Sequence, residues 1–169
     1  MVKVRQADAD DIGIIHQLAH DIWPVAYKEI LSNAQLEYML DMMYSHQALK
    51  YQIVNQGHEF FLLSHNDKPV GFASIQPKYK ISEGLYRLNK LYVLPTEQGK
   101  GFGQLLLSHI ISFIKPKGAF ILELNVNRNN KAVTFYEKQG FKIIREEDIA
   151  IGKGYFMNDY VMQKEIPDS

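Results

Sequence analysis

One short run constrains this chain more than any other. Residues 85–93 read as a strand rich in leucine and tyrosine, and Pro95 stops it. Gln98, Gly99, Lys100, Gly101, Phe102, Gly103 and Gln104 follow. They open a helix whose apolar positions are Phe102, Leu105, Leu106, His109, Ile110 and Phe113, closed by Pro116 and Gly118. Glycine has no side chain to obstruct a ligand and tolerates unusual backbone angles. The first turn of a helix leaves amide N–H groups unpaired, and the helix dipole adds positive potential there. Together these form a cradle for an anion such as a pyrophosphate. The spacing is Gly-x-Gly-x-Gly, so it is not the Gly-x-Gly-x-x-Gly dinucleotide pattern. It also lacks the Gly-Lys-Ser/Thr ending of a P-loop and the hydroxyl that would hold magnesium.

The rest of the chain supplies the frame. Residues 2–5 read as a first strand, and Asp8 caps a helix that carries Ile12, Ile15, Ala19 and Ile22 at helical spacing; Pro24 ends or kinks it. A second helix opens near Ser32 or Asn33 with Leu36, Met39, Leu40 and Met43 as its stripe, and a third covers 46–55. Residues 60–64 and 69–76 form a hairpin about Asn66 and Asp67. After the glycine loop and its helix come a strand at 119–126, a helix at 129–139 ended by Gly140, and two strands at 141–149 and 155–163. This order predicts an α/β, or α+β, mixed sheet with helices packed on its faces, in one domain over residues 1–169.

Composition narrows the function classes. Nineteen basic and nineteen acidic residues give no net charge, which argues against a dedicated nucleic-acid binder. With no cysteine, disulfides and thiolate chemistry are excluded. The N-terminus has no apolar signal core and no segment is apolar enough to span a bilayer, so no membrane role and a cytoplasmic location are expected. The six histidines form no metal pattern, so no metal is expected. His16 and His20, one turn apart, read as a chance exposed pair, and His109 as a buried packing residue.

A second constellation begins about two dozen residues beyond the loop: Asn129, Ala132, Tyr136, Gly140 and Phe141 at the spacing Asn-x-x-Ala-x-x-x-Tyr-x-x-x-Gly-Phe. With the Gln98-x-x-Gly101-x-Gly103 loop, it resembles the paired signatures of the GNAT superfamily of N-acetyltransferases. The likeness is clearest over 85–141, and the element order extends it along the chain. It resembles in particular the branch that includes bacterial polyamine acetyltransferases. The resemblance implies a GNAT-like fold: a central, mostly antiparallel twisted sheet with splayed middle strands and helices on both faces. It also implies acetyl-CoA as donor and coenzyme A as product. Leu91, Tyr92 and Val93 would carry the cofactor arm by their backbone, and Gln98, Gly99, Lys100, Gly101, Phe102, Gly103 and Gln104 its phosphates. Asn129 would hydrogen-bond the arm, although asparagine is also a good helix cap. Tyr136 would be the catalytic acid that protonates the leaving thiolate; as a bland alternative, it is an aromatic on a buried helix face beside Phe135. Arg128, Lys100 and Lys131 read more simply as solvated charges.

The base that deprotonates the amine is not assigned by the pattern. Glu123 reads as an outward-facing strand residue; Tyr79, Glu83, Glu29 or a water chain are alternatives. Trp23, Tyr27 and Glu29 are the substrate candidates: aromatic faces with an acid suit a cationic amine, and core packing of the two rings explains them equally well. The expected acceptor is a primary amine on a small molecule or peptide, with polyamines leading and N-terminal peptide amines or an amino acid as alternatives. A non-catalytic acyl-CoA-binding regulatory module ranks below. A homodimer is expected by analogy to the family.

Overall fold

A computed structural model describes residues 1–78 and 84–167, and its elements follow the order expected from the sequence. The elements run β1 (Val2–Gln6), α1 (Ile12–Ala26), α2 (Asn33–Tyr44), α3 (His46–Val54), β2 (Glu59–His65), β3 (Lys68–Pro77), β4 (Leu85–Val93), α4 (Phe102–Ile114), β5 (Ile121–Asn127), α5 (Ala132–Lys138), β6 (Lys142–Gly152) and β7 (Tyr155–Glu165). The strands hydrogen-bond in the order β1-β2-β3-β4-β5-β7-β6. The β1–β2, β2–β3, β5–β7 and β6–β7 pairs are antiparallel and β4–β5 is parallel. The sheet is therefore mixed and mostly antiparallel, with helices between its strands.

The chain forms two compact units: Met1–Gln76 with Lys90–Ile110, and Pro77–Asn89 with Ile111–Ser169. In the first, Asp8 accepts the Asp10 N–H while Asp11 accepts the Asp8 N–H, a capping box that starts the turn before α1. Ile15, Leu18, Ala19, Ile22 and Trp23 form its buried stripe. The helix runs through Pro24 to Ala26; so near its end the proline removes little of the hydrogen-bond ladder. Ser32 caps α2 and Ser45 caps α3 through their hydroxyls. The β2–β3 hairpin turns on Asn66 and Asp67, both at positive φ, as a tight hairpin turn requires. In α4, Leu106, Leu107 and Ile110 are buried but Leu105 is exposed. Expected on the apolar face, Leu105 lies about 100° of turn from Leu106, on the solvent side.

In the second unit, the parallel ladder of β4 and β5 covers four pairs, from Leu85–Ile121 to Leu88–Leu124. β5 then pairs with β7 along its whole length. The helix expected from Asn129 starts three residues later, at Ala132. Asparagine side chains hold the intervening turn: Asn127 Oδ1 accepts the Asn129 N–H and Asn130 Oδ1 accepts the Ala132 N–H. Asn129 is thus an exposed turn residue and not the helix cap.

Candidate functional site

The glycine loop is built in the first unit. The Leu94 N–H donates to the Val70 carbonyl at 2.8 Å as β4 ends, and a turn at Pro95–Glu97 follows. The Gln98 side-chain amide donates back to the Val93 carbonyl at 3.4 Å. Gly99 and Gly101 then take φ of +83° and +79°, where a side chain would be strained, and a Cβ on either would meet nothing within 4 Å. Both are exposed. The Leu105 N–H donates to the Gly101 carbonyl at 3.0 Å, so the amides of Phe102, Gly103 and Gln104 lie in the first turn, where the helix offers them no acceptor. Phe102 is buried edge-on to His65, which anchors the helix start. Glu97 accepts from Lys100 at 2.6 Å and lies 3.4 Å from His65; Lys100 first, then His65, hold its carboxyl below the usual range. Open glycines, first-turn amides and a neighbouring ammonium fit an anionic group such as a pyrophosphate.

Leu91, Tyr92 and Val93 are half-buried at the end of β4. The Tyr92 hydroxyl is 2.9 Å from the Tyr27 hydroxyl. Trp23 packs 4.5 Å from the Tyr27 ring, and both are buried, whereas Glu29 is exposed in the turn after α1. The structure thus joins Trp23, Tyr27 and Tyr92 in one aromatic cluster, with the two α1-side rings packed as core. Lys90 was not singled out in the sequence. It is buried, donates to Gln52 at 2.8 Å and stands 5.5 and 5.2 Å from the Tyr44 and Phe60 ring centres. Its signal was the two-residue period: Tyr86, Leu88, Lys90 and Tyr92 share one face of β4.

His16 and His20 are not an exposed chance pair. Their rings lie 4.1 Å apart, half-buried, and their Nδ1–H groups donate to the Tyr44 and His16 carbonyls. His109 is half-buried and edge-on to Phe61. Among the described residues no group of three or more histidine or acidic side chains could hold a metal ion.

In the second unit, α5 places Tyr136 inside, 7% exposed, with Phe135 and Phe141 edge-on at 5.3 and 5.5 Å. Gly140 takes φ +94° as the chain leaves that helix. Glu123 does not face outward: it is 1% exposed and ion-paired with Lys78, with Gln163 donating to its other oxygen at 2.8 Å. Burial pushes its carboxyl up, but the Lys78 and Gln163 hydrogen bonds outweigh that and leave it below the usual range. A charged residue on this strand is tolerated because its partners fold in with it. Arg128 donates to Asp148 at 2.5 Å. Lys131 is exposed. Tyr79 and Glu83 lie outside the described residues.

Comparison with known proteins assigns the class. The model of the acetyltransferase (GNAT) domain matches residues 27–163. A ribosomal protein bS18-alanine N-acetyltransferase of Haemophilus influenzae is 38% identical over 104 residues, which cover 60% of this chain and 65% of that relative, slightly under two thirds of its length. A spermidine N(1)-acetyltransferase of Thermoplasma acidophilum is 28% identical over 84% of this chain and 89% of its own. The crystal structure of the PaiA N-acetyltransferase of Thermoplasma acidophilum in complex with coenzyme A superposes with a TM-score of 0.82 at 25% identity, over 98% of this chain and 99% of that one. The chain belongs to the GNAT family of acetyltransferases and is an acetyl-CoA-dependent N-acetyltransferase. No helix among the described residues is long and apolar enough to cross a membrane.

Proposed function

We propose that this chain, as one acetyltransferase domain, acetylates the primary amine of a small cationic molecule, polyamines among them. The observation that carries this reading is the likeness, along nearly the whole chain, to a spermidine acetyltransferase and to the PaiA structure. When bound, acetyl-CoA supplies an activated thioester carbonyl. The chain's residues bind, orient and move protons. Amides of 99–104 would hold the pyrophosphate, with Gln98 tying the loop to β4. The Leu91, Tyr92 and Val93 backbone would hold the arm, the Val93 amide would polarise the carbonyl, and Asn129 would add a side-chain hydrogen bond. Tyr136 would give its phenolic proton to the leaving sulfur.

A second reading, acetylation of a peptide N-terminus, is favoured by the 38% identity to the bS18-alanine enzyme. Thiol release measured with acetyl-CoA against diamines, spermidine and alanine-started peptides separates the two. Turnover with the polycations and none with the peptides is expected; the reverse pattern would replace the first reading by the second.

A further inference from the structure

Three carboxylates are buried among the described residues: Asp11, Glu123 and Asp159. The first two are held by cations. Arg5 grips Asp11 with two hydrogen bonds, and Lys78 pairs with Glu123. Asp159 differs. It is 5% exposed, and its carboxylate accepts from a neutral group, Asn125 Nδ2, at 3.3 Å. The nearby guanidinium groups are committed elsewhere. Arg128 bonds Asp148, approaches Glu146 to 3.7 Å and donates to the Asp159 backbone carbonyl. Arg87 donates to Asn89 and lies 4.0 Å from Glu123.

A second observation stands beside the first. Asn125 Oδ1 is buried and has no hydrogen-bond partner among the described residues. Buried polar atoms are nearly always paired, so an orphaned acceptor next to a buried anion marks a place where donors are missing. The complement to two acceptors, one of them charged, is a group with several N–H donors and a positive charge, which describes a primary ammonium. Burial is the largest influence on Asp159 and holds its carboxyl above the usual range; Glu147 of β6 adds to the rise, and Asn125, Arg87 of β4 and Arg128 after β5 oppose it. A carboxylate raised in this way is a better proton acceptor than one in water.

We propose that Asp159 and Asn125 receive the amine of the acceptor, with Asp159 as the base that takes its proton. This rests on the amine-acetylating reading above. An N–H bond of the ammonium breaks, its electron pair stays on nitrogen, and the proton bonds to an Asp159 Oδ. The carboxylate becomes a neutral acid, and water later removes the proton. The nitrogen is left with the lone pair that acyl transfer requires.

The test uses the full chain and its Asp159→Asn variant, with two acceptors. One is 1,4-diaminobutane, cationic at pH 7.5; the other is 2,2,2-trifluoroethylamine, already neutral there. The variant should lose about 100-fold in kcat/KM with the diamine and clearly less with the neutral amine, which needs no proton removed before it attacks. The wild type should lose rate with the diamine as pH falls through the raised Asp159 pKa, and the variant should lack that limb. Acetyl-CoA affinity by calorimetry should not change. The melting temperature should not fall, because a desolvated charge has been removed. Equal losses with both amines, a melting temperature that falls with activity, or an undiminished rate with the diamine would each overturn the assignment while leaving the acetyltransferase reading intact. A wild type that binds no acetyl-CoA would overturn both.

Discussion

Asp11 shows how one side chain can do two jobs at the residue scale. Its carboxylate closes the capping box before α1 and accepts from the two terminal guanidinium nitrogens of Arg5, at 2.7 and 2.9 Å. The Arg5 hydrogen bond is the main reason its carboxyl sits below the usual range, with burial working against it. A carboxyl depressed in the folded state contributes stability above its unfolded pKa, and that contribution is lost as pH falls through the folded value. Denaturant melts from pH 7 downward should therefore show an acid-linked loss that Asp11→Asn lacks. At pH 7 the substitution should cost about 1 kcal/mol, a modest figure because Arg5 is half in solvent. Glu123 obeys the same sign with a more buried partner. Glu123→Gln leaves Lys78 without its carboxylate and should cost about 2 kcal/mol, between exposed and fully buried pairs. A pH-independent stability in that variant, equal to the wild type, would remove the ion pair from the account.

At the scale of elements, the glycines separate conformational need from close packing. Gly101 takes positive φ with open space where a Cβ would stand. Gly84 also takes positive φ, at +69°, but there a Cβ would run into the Phe120 ring and stand 2.7 Å from the Gly118 carbonyl oxygen. Gly101→Ala should cost about 1 kcal/mol by backbone strain alone. Gly84→Ala should cost about 2–3 kcal/mol, because the ring and the carbonyl must also move. Melting curves rank the two. Calorimetry adds the functional half: if the loop amides hold the cofactor phosphates, Gly101→Ala weakens acetyl-CoA binding, by about fivefold for each kcal/mol of misplacement. Gly84→Ala has no such specific effect.

For the whole molecule, occupancy should be readable as stability. A ligand that binds only the folded state at a hundred times its dissociation constant adds about 2.7 kcal/mol. For a chain of this length each kcal/mol raises the melting temperature by about 2–4 °C, so saturating acetyl-CoA should raise it by roughly 5–10 °C. An unchanged melting temperature would argue against the cofactor. The fold was largely legible in the sequence, since strand and helix periods, caps and glycine stops are local. The 129–139 helix was misjudged by three residues because Asn127 and Asn130 satisfy the backbone with their side chains. Glu123 was read as facing solvent because its partner Lys78 lies 45 positions away, and no local period reports such a pairing. Asp159 and Asn125 gave no signal for the same reason. Their meaning depends on which cations are committed elsewhere, and only the packed sheet decides that. The glycine turn before α4 and the helix that carries Tyr136 were legible as local structure, because a turn and a helical period are each complete within a short stretch.

The proposed role of Tyr136 is proton donation in an acetyl transfer from acetyl-CoA to an amine. It is tested most directly by thiol release from acetyl-CoA in the presence of spermidine, wild type against Tyr136→Phe, with acetyl-CoA affinity measured on both. Amine-dependent release in the wild type, a fall in kcat of about 100-fold in the variant and unchanged cofactor affinity are expected. Unchanged turnover in Tyr136→Phe would contradict it.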